Sequence, residues 1–187
     1  MSARKTPAPV KANVKAKATP GADELPVAQG WQDLLERGLR HKTALLQSPE
    51  FKTTAQASEL LGIGEPAVRK RIREGKLFAL QTPGDGSHRI PAWALDPAIA
   101  GSVTLTLLSL AGGGDAWLLY HALTTPNGHL HGLRPFECLL SRQNLPPSQR
   151  AAREELAVHL QLSAKDALLE VVGRAVQAEL GDAAATA

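Results

Sequence analysis

"TTAQASELLGIGEPAVRKRIREGKLFAL", Thr53 to Leu80, decides how this chain is read. Thr53 is followed three residues later by Gln56, the spacing at which a hydroxyl and a side-chain amide cap each other's backbone at a helix start. Ala57, Leu60 and Leu61 continue the run with helical periodicity. Gly62-Ile63-Gly64 predicts a tight turn with Ile63 directed back into the core, and Pro66 suits the first turn of a second helix, where its missing N–H removes no bond. On that helix Val68 and Ile72 share one face, while Pro66, Arg69, Lys70 and Arg73 fall on the other and Arg71 lies beside the seam, at about 100° per residue. Gly75 closes the helix. The four cations Arg69, Lys70, Arg71 and Arg73 are either a solvated face or a surface laid against phosphate.

The flanking sequence favours phosphate. "KLFALQ" and "HRIPAWAL" are two β-compatible runs separated by "TPGDGS", a loop dense in Pro, Gly and Asp, which predicts a hairpin placed as the wing of a winged helix. His88 and Arg89 stand on its return edge, within reach of a nucleic-acid backbone or minor groove. A merely solvated face does not require cap, turn and hairpin in this order. Double-stranded DNA is the expected ligand, held by Arg69, Lys70, Arg73, His88 and Arg89; a protein-binding or degenerate winged helix is the alternative. The stretch from Phe51 to Asp96, with "GKL" ahead of a hairpin ending in "RIPAW", resembles the excisionase and MerR-type winged helix-turn-helix. That resemblance implies a second helix lying in the major groove and a wing on the flanking backbone.

Around this unit the chain divides into three expected segments: a basic disordered tail over 1–29, the DNA-binding domain over 30–98 and a helical domain over 99–187. The tail is rich in Ala, Pro and Lys and cannot bury enough apolar surface to offset its ordering entropy. Its Arg4, Lys5, Lys11, Lys15 and Lys17 suit either a solubilising tail or an arm tracking nucleic acid. Trp31, Leu34, Leu35, Leu39, Leu45 and Leu46 predict a helix from about Trp31 to Gln47, weakened at Gly38. With 187 residues, a net charge of +3, one cysteine and no long apolar run, the composition fits a cytoplasmic protein without disulfides, thiolate zinc sites or membrane spans.

Beyond Asp96 the composition turns helical. Leu105, Leu107, Leu108 and Leu110 read as a buried helix, with a strand near Val103 left open; Gly112 to Gly114 break the chain and Asp115 caps the next helix. Turns follow at Pro126-Asn127-Gly128 and Gly132, then a helix entered through Pro135 and two more, about Ser148 to Gln161 and Ala164 to Leu180, with Ser163 as N-cap of the last and Asp166 at the positive end of its dipole. The expected fold is mainly α: a winged helix-turn-helix with a small hairpin wing, plus a C-terminal helical domain.

Trp117, Leu123, Thr125, Pro126, Asn127, Leu130, Gly132, Pro135, Glu137, Leu139 and Leu140 carry a second resemblance, to the toxin-binding domain of the Xre, MbcA and ParS antitoxins. Cys138 replaces the family's usual aliphatic residue, and the helix after Leu162 replaces its short ending. The resemblance implies a type II antitoxin that blocks a cognate toxin of the RES type and represses its own operon. Asn127, His129, Leu130, His131 and Arg134 are then the expected toxin contacts, because the turn's geometry does not demand them. The alternative is a phage- or plasmid-type regulator without a toxin. His121, His129, His131 and Cys138 have turn formers around them and only Glu137 as a supporting carboxylate, and Gly112 to Gly114 lack the Lys-Ser/Thr of a phosphate loop, so no catalytic residue, metal or cofactor is expected. A homodimer seam through Leu168, Leu169, Val172 and Val176 is weighed against the same helix packing on its own domain.

Overall fold

The computed structural model describes residues 25–112, 115–161 and 165–185. Most of the basic tail, Gly113, Gly114 and Ser163 lie outside the described residues, as does the side chain of Asp166. The architecture is mainly helical with a small antiparallel sheet. The chain divides into two units, Met1–Gly38 and Leu39–Ala187. The first unit's described part is the opening stretch of α1 (Leu25–Leu46), which begins at Leu25 rather than Trp31.

The second unit opens with the end of α1, then β1 (Phe51–Lys52), α2 (Thr54–Leu61) and α3 (Glu65–Arg73). Thr53 and Gln56 form the expected capping box: the Gln56 N–H donates to Thr53 Oγ1 at 3.2 Å and the Thr53 N–H to Gln56 Oε1 at 3.0 Å. Gly62 ends α2 in the left-handed region at φ 63°, a conformation that costs a residue with a Cβ. The hydroxyl of Ser58 donates to the Ile63 carbonyl at 2.6 Å and fixes the turn from the other side. Pro66 stands in the first turn of α3, and Val68 is completely buried.

The hairpin is shorter than its two runs suggest. β2 (Leu80–Gln81) pairs antiparallel with β3 (His88–Pro91) in the register Leu80↔Arg89 and Gln81↔His88, and β1 adds on the other side of β3, giving the order β1-β3-β2. Leu77 and Phe78 leave the ladder because both are buried, which strand alternation forbids for neighbours on a half-exposed sheet. "AWAL" is a turn of 3-10 helix, Ala92–Leu95.

The rest is α4 (Ser102–Leu110), α5 (Ala116–Thr124), α6 (Pro135–Leu139), α7 (Pro147–His159) and α8 (Lys165–Ala185). The region around Val103 is helix, not strand; Leu107 is buried as expected, but Leu105 is 42% exposed while Val103 and Thr104 are buried. Asp115 caps α5 as expected, accepting from the Trp117 N–H at 2.9 Å. Leu168 and Leu169 are half-buried and Val172 and Val176 fully buried in the unit's own core, so the expected seam on α8 has its valines spent inside the chain. α8 packs chiefly on α5, α6 and α4.

One core runs through this unit. Trp93 stacks on Phe78 at 5.5 Å and on Phe136 at 5.3 Å, and Phe51 meets Tyr120 at 5.5 Å, so the sheet region and the later helices share apolar contacts. A buried carboxylate adds a polar tie. Asp96 accepts from the Ala98 N–H (2.7 Å), the Ser141 N–H (3.0 Å), the Ser141 hydroxyl (2.5 Å) and the Asn144 amide (2.7 Å). Burial pushes its pKa up, but these bonds outweigh burial and hold the carboxyl below its ordinary value. No helix among the described residues is long and apolar enough to cross a membrane.

Candidate nucleic-acid interface and partner loop

α3 is built with its charges sorted. Glu65 lies in its first turn and Lys70, Arg71 and Arg73 in its last, each sign at the helix end whose partial charge it complements. Arg69, Lys70 and Arg73 are exposed on the side away from Val68, and Arg71 is exposed beside the seam. Arg69 pairs with Glu65 at 2.6 Å, Lys70 with Glu74 at 3.8 Å and Lys76 with Glu74 at 2.8 Å. The hydrogen bond from Lys76 does most to hold the Glu74 carboxyl below its ordinary value. Arg71 and Arg73 make no ion pair among the described residues. The face is therefore partly neutralised by exchangeable surface pairs, each worth at most about 1 kcal/mol in water.

His88 and Arg89 are half-buried on β3, where sequence placed them, and the Arg89 guanidinium reaches the His88 carbonyl at 3.5 Å. The hairpin tip carries Asp85, whose carboxylate accepts from the Ser87 N–H at 2.8 Å, the bond that does most to depress its pKa. That anion opposes a phosphate at the tip itself. Between the hairpin and the start of α5 runs a groove of about 750 Å³ lined by Gln81, Thr82, His88, Asp115 and Trp117, with Ile72 of α3 also in its wall. Lys42 lies over the Trp117 ring at 4.9 Å, a cation–π contact within this unit that sequence reading did not anticipate.

The second group of expected contacts separates into two kinds. The loop between α5 and α6 closes on itself: the Asn127 N–H donates to the Leu133 carbonyl at 3.1 Å and the Gly132 N–H to the Asn127 carbonyl at 3.0 Å. Asn127 Oδ1 accepts from the His129 N–H at 2.9 Å, and its amide donates to Glu179 at 3.3 Å. Asn127 is only 5% exposed and Leu130 0%. Expected to meet a toxin, these two instead hold the loop, Asn127 as its internal cap and Leu130 as its plug into the core.

His129, His131 and Arg134 do face solvent. The Arg134 N–H donates to Glu137 at 2.8 Å, and Gln149 donates to the other oxygen of that buried carboxylate at 2.7 Å. Beside the loop lies a groove of about 540 Å³ with Leu130, Val171 and Ala175 among its apolar walls and His129, His131, His159 and Arg174 among its polar ones. The His131 and His159 rings are 5.4 Å apart. Sequence reading missed His159, Val171 and Arg174, which lie on α7 and α8 and carry no local signal of this meeting.

His121 Nδ1 lies 3.3 Å from the Thr125 hydroxyl, and among the described residues no three His, Cys, Asp or Glu side chains are grouped to hold a metal ion. Burial pushes the Cys138 thiol up to about 12, so it is protonated at neutral pH. No family model matches this chain, nor does any curated protein or solved structure.

Proposed function

We propose that this chain is a cytoplasmic DNA-binding repressor built on a winged helix-turn-helix, with α3 as the recognition helix and the β2–β3 hairpin as the wing, and that it acts as the antitoxin of a type II operon. The observation carrying the DNA reading is the cationic face of α3 opposite Val68, on a helix pair fixed by the capping box and the left-handed Gly62 and followed directly by an antiparallel hairpin. Phosphate displaces Glu65 and Glu74 from Arg69 and Lys70 at little cost, because both pairs are solvated. The test is a gel shift on DNA from upstream of its own gene. Lys70→Ala with Arg73→Ala weakens binding and lowers the salt slope by roughly one unit for each phosphate no longer neutralised. Unchanged binding by that double variant overturns the reading.

The antitoxin role rests on the resemblance of Trp117–Leu140 and on the exposed rim His129, His131 and Arg134 beside an apolar groove. A chain carrying His131→Glu and Arg134→Glu is expected to stay folded and bind DNA yet lose a co-purifying toxin of the RES type. A second reading, a regulator without a toxin, is favoured by the burial of Asn127 and Leu130, which removes two of the five expected contacts from the surface. Purification of the native chain with no protein partner selects that reading.

A further inference from the structure

The least covered apolar surface is on α1. Trp31 is 65% exposed, Leu34 56%, Leu35 55% and Leu39 51%. At about 100° per residue these four and Gly38 fall on one stripe. Lys42 would continue it, but its ammonium is drawn over Trp117, so the stripe ends at Leu39. We propose that α1 pairs in parallel along this stripe with α1 of a second copy of the chain.

Four observations favour that occupant. The chain's own preceding segment offers little apolar surface for the stripe: residues 1–24 contain only Met1, Val10 and Val14 as large apolar side chains, among five Lys or Arg. The area also suffices. With Trp31 contributing ~150 Å² and each leucine ~100 Å², the patch is ~450 Å², within the ~300–600 Å² of a monomer's largest, often functional, apolar patch. Two copies hide about twice that in apolar surface alone, and the flanking residues bring the total to the ~1,000 Å² a specific interface needs.

The flanks also match a like partner. Glu36 borders the stripe on one side and Arg37 with His41 on the other, and a parallel two-fold pair sets one copy's Glu36 flank against the other's Arg37 flank. Gly38 lies within the stripe, and a Cβ added there meets nothing within 4 Å in the single chain, leaving room for a helix to cross closely. The pairing stands apart from the DNA reading and is measured without DNA.

The full chain is run by size exclusion with light scattering at roughly 1–100 μM, the range over which a specific pair forms. A mass of twice 19.8 kDa is expected, and Trp31→Glu with Leu35→Glu raises the dissociation constant at least ~10-fold with the far-ultraviolet melt of the body unchanged. As a variant that leaves every apolar side chain of the stripe in place, Gly38→Cys in a Cys138→Ala background gives an interchain disulfide under oxidised glutathione, whereas Asp33→Cys on the opposite face does not. A 19.8 kDa species throughout, a dimer untouched by the glutamates, or equal cross-linking at both cysteines overturns the proposal. So does a larger assembly containing a different protein seated on the stripe.

Discussion

Asp96→Ala tests whether the turn after β3 and the Ser141–Asn144 turn are tied by one carboxylate. Four donors converge on Asp96, and two of them, the N–H groups of Ala98 and Ser141, are backbone groups that cannot turn away when the acceptor is removed. The Asn144 amide is exposed and finds water, and the Ser141 hydroxyl is only half-buried. Each donor left without an acceptor costs about 1–3 kcal/mol, and recovery of the carboxylate's own desolvation offsets part of the total, so the expected loss is about 2–4 kcal/mol. For a chain of this size that lowers Tm by roughly 5–15 °C. Asp96→Asn keeps an acceptor oxygen and is expected to lose about half as much. The pH dependence has a fixed sign. The folded carboxyl has a depressed pKa, so its contribution is present above the unfolded value of ~3.9 and fades as pH falls through the folded value. The gap in Tm between parent and Asp96→Ala therefore narrows from about pH 6 to about pH 3 in a calorimetric series. A gap under about 2 °C, or one constant over that range, refutes the tie.

Gly62→Ala meets no neighbour within 4 Å but must adopt φ 63°, and is expected to cost about 1–2 kcal/mol in a denaturant titration. Cys138, buried with its thiol pushed up to about 12, is expected to resist iodoacetamide at pH 8 until the chain unfolds; because the folded pKa is raised, its contribution to stability is lost from pH 9 towards 12, a loss absent in Cys138→Ala.

What sequence reveals here is local. Thr53 with Gln56, Gly62, Pro66 and Asp115 announce their roles within four residues, because caps and left-handed turns are satisfied by immediate neighbours. The third strand is not readable in this way: Phe51–Lys52 is two residues long and exists through its pairing with Ile90 and Pro91, some forty residues away. The link from Asp96 to Ser141 is hidden for the same reason. Periodicity also fails to say which apolar residues are covered. Leu34 and Leu130 look alike in sequence, yet one is 56% exposed and the other fully buried, because burial depends on which elements meet them. That is why the rim residues His131 and Arg134 keep the surface position expected of them, while Leu130 and Asn127 belong to the loop's own framework.

The cations of α3 have two physical explanations, and only one involves DNA. Lys70, Arg71 and Arg73 sit in the last turn, where the helix dipole favours positive charge by about 0.3–1 kcal/mol each, so a purely structural account explains why they are basic. It does not cover Arg89, which lies on a strand, reaches a neighbouring carbonyl at the limit of hydrogen-bond distance, helps to lower the pKa of Asp85 on the same hairpin and caps no helix. Arg89→Gln therefore separates the accounts where the α3 variants do not. The dipole account expects Lys70→Gln and Arg73→Gln to lower Tm slightly and Arg89→Gln to change nothing. The DNA account expects Arg89→Gln to leave Tm within about 1 °C yet weaken binding at every sequence tested, with a salt slope reduced by roughly one. If Arg89→Gln binds DNA as the parent does while the α3 variants lose only stability, the basic cluster is a helix terminus and the hairpin is not a wing.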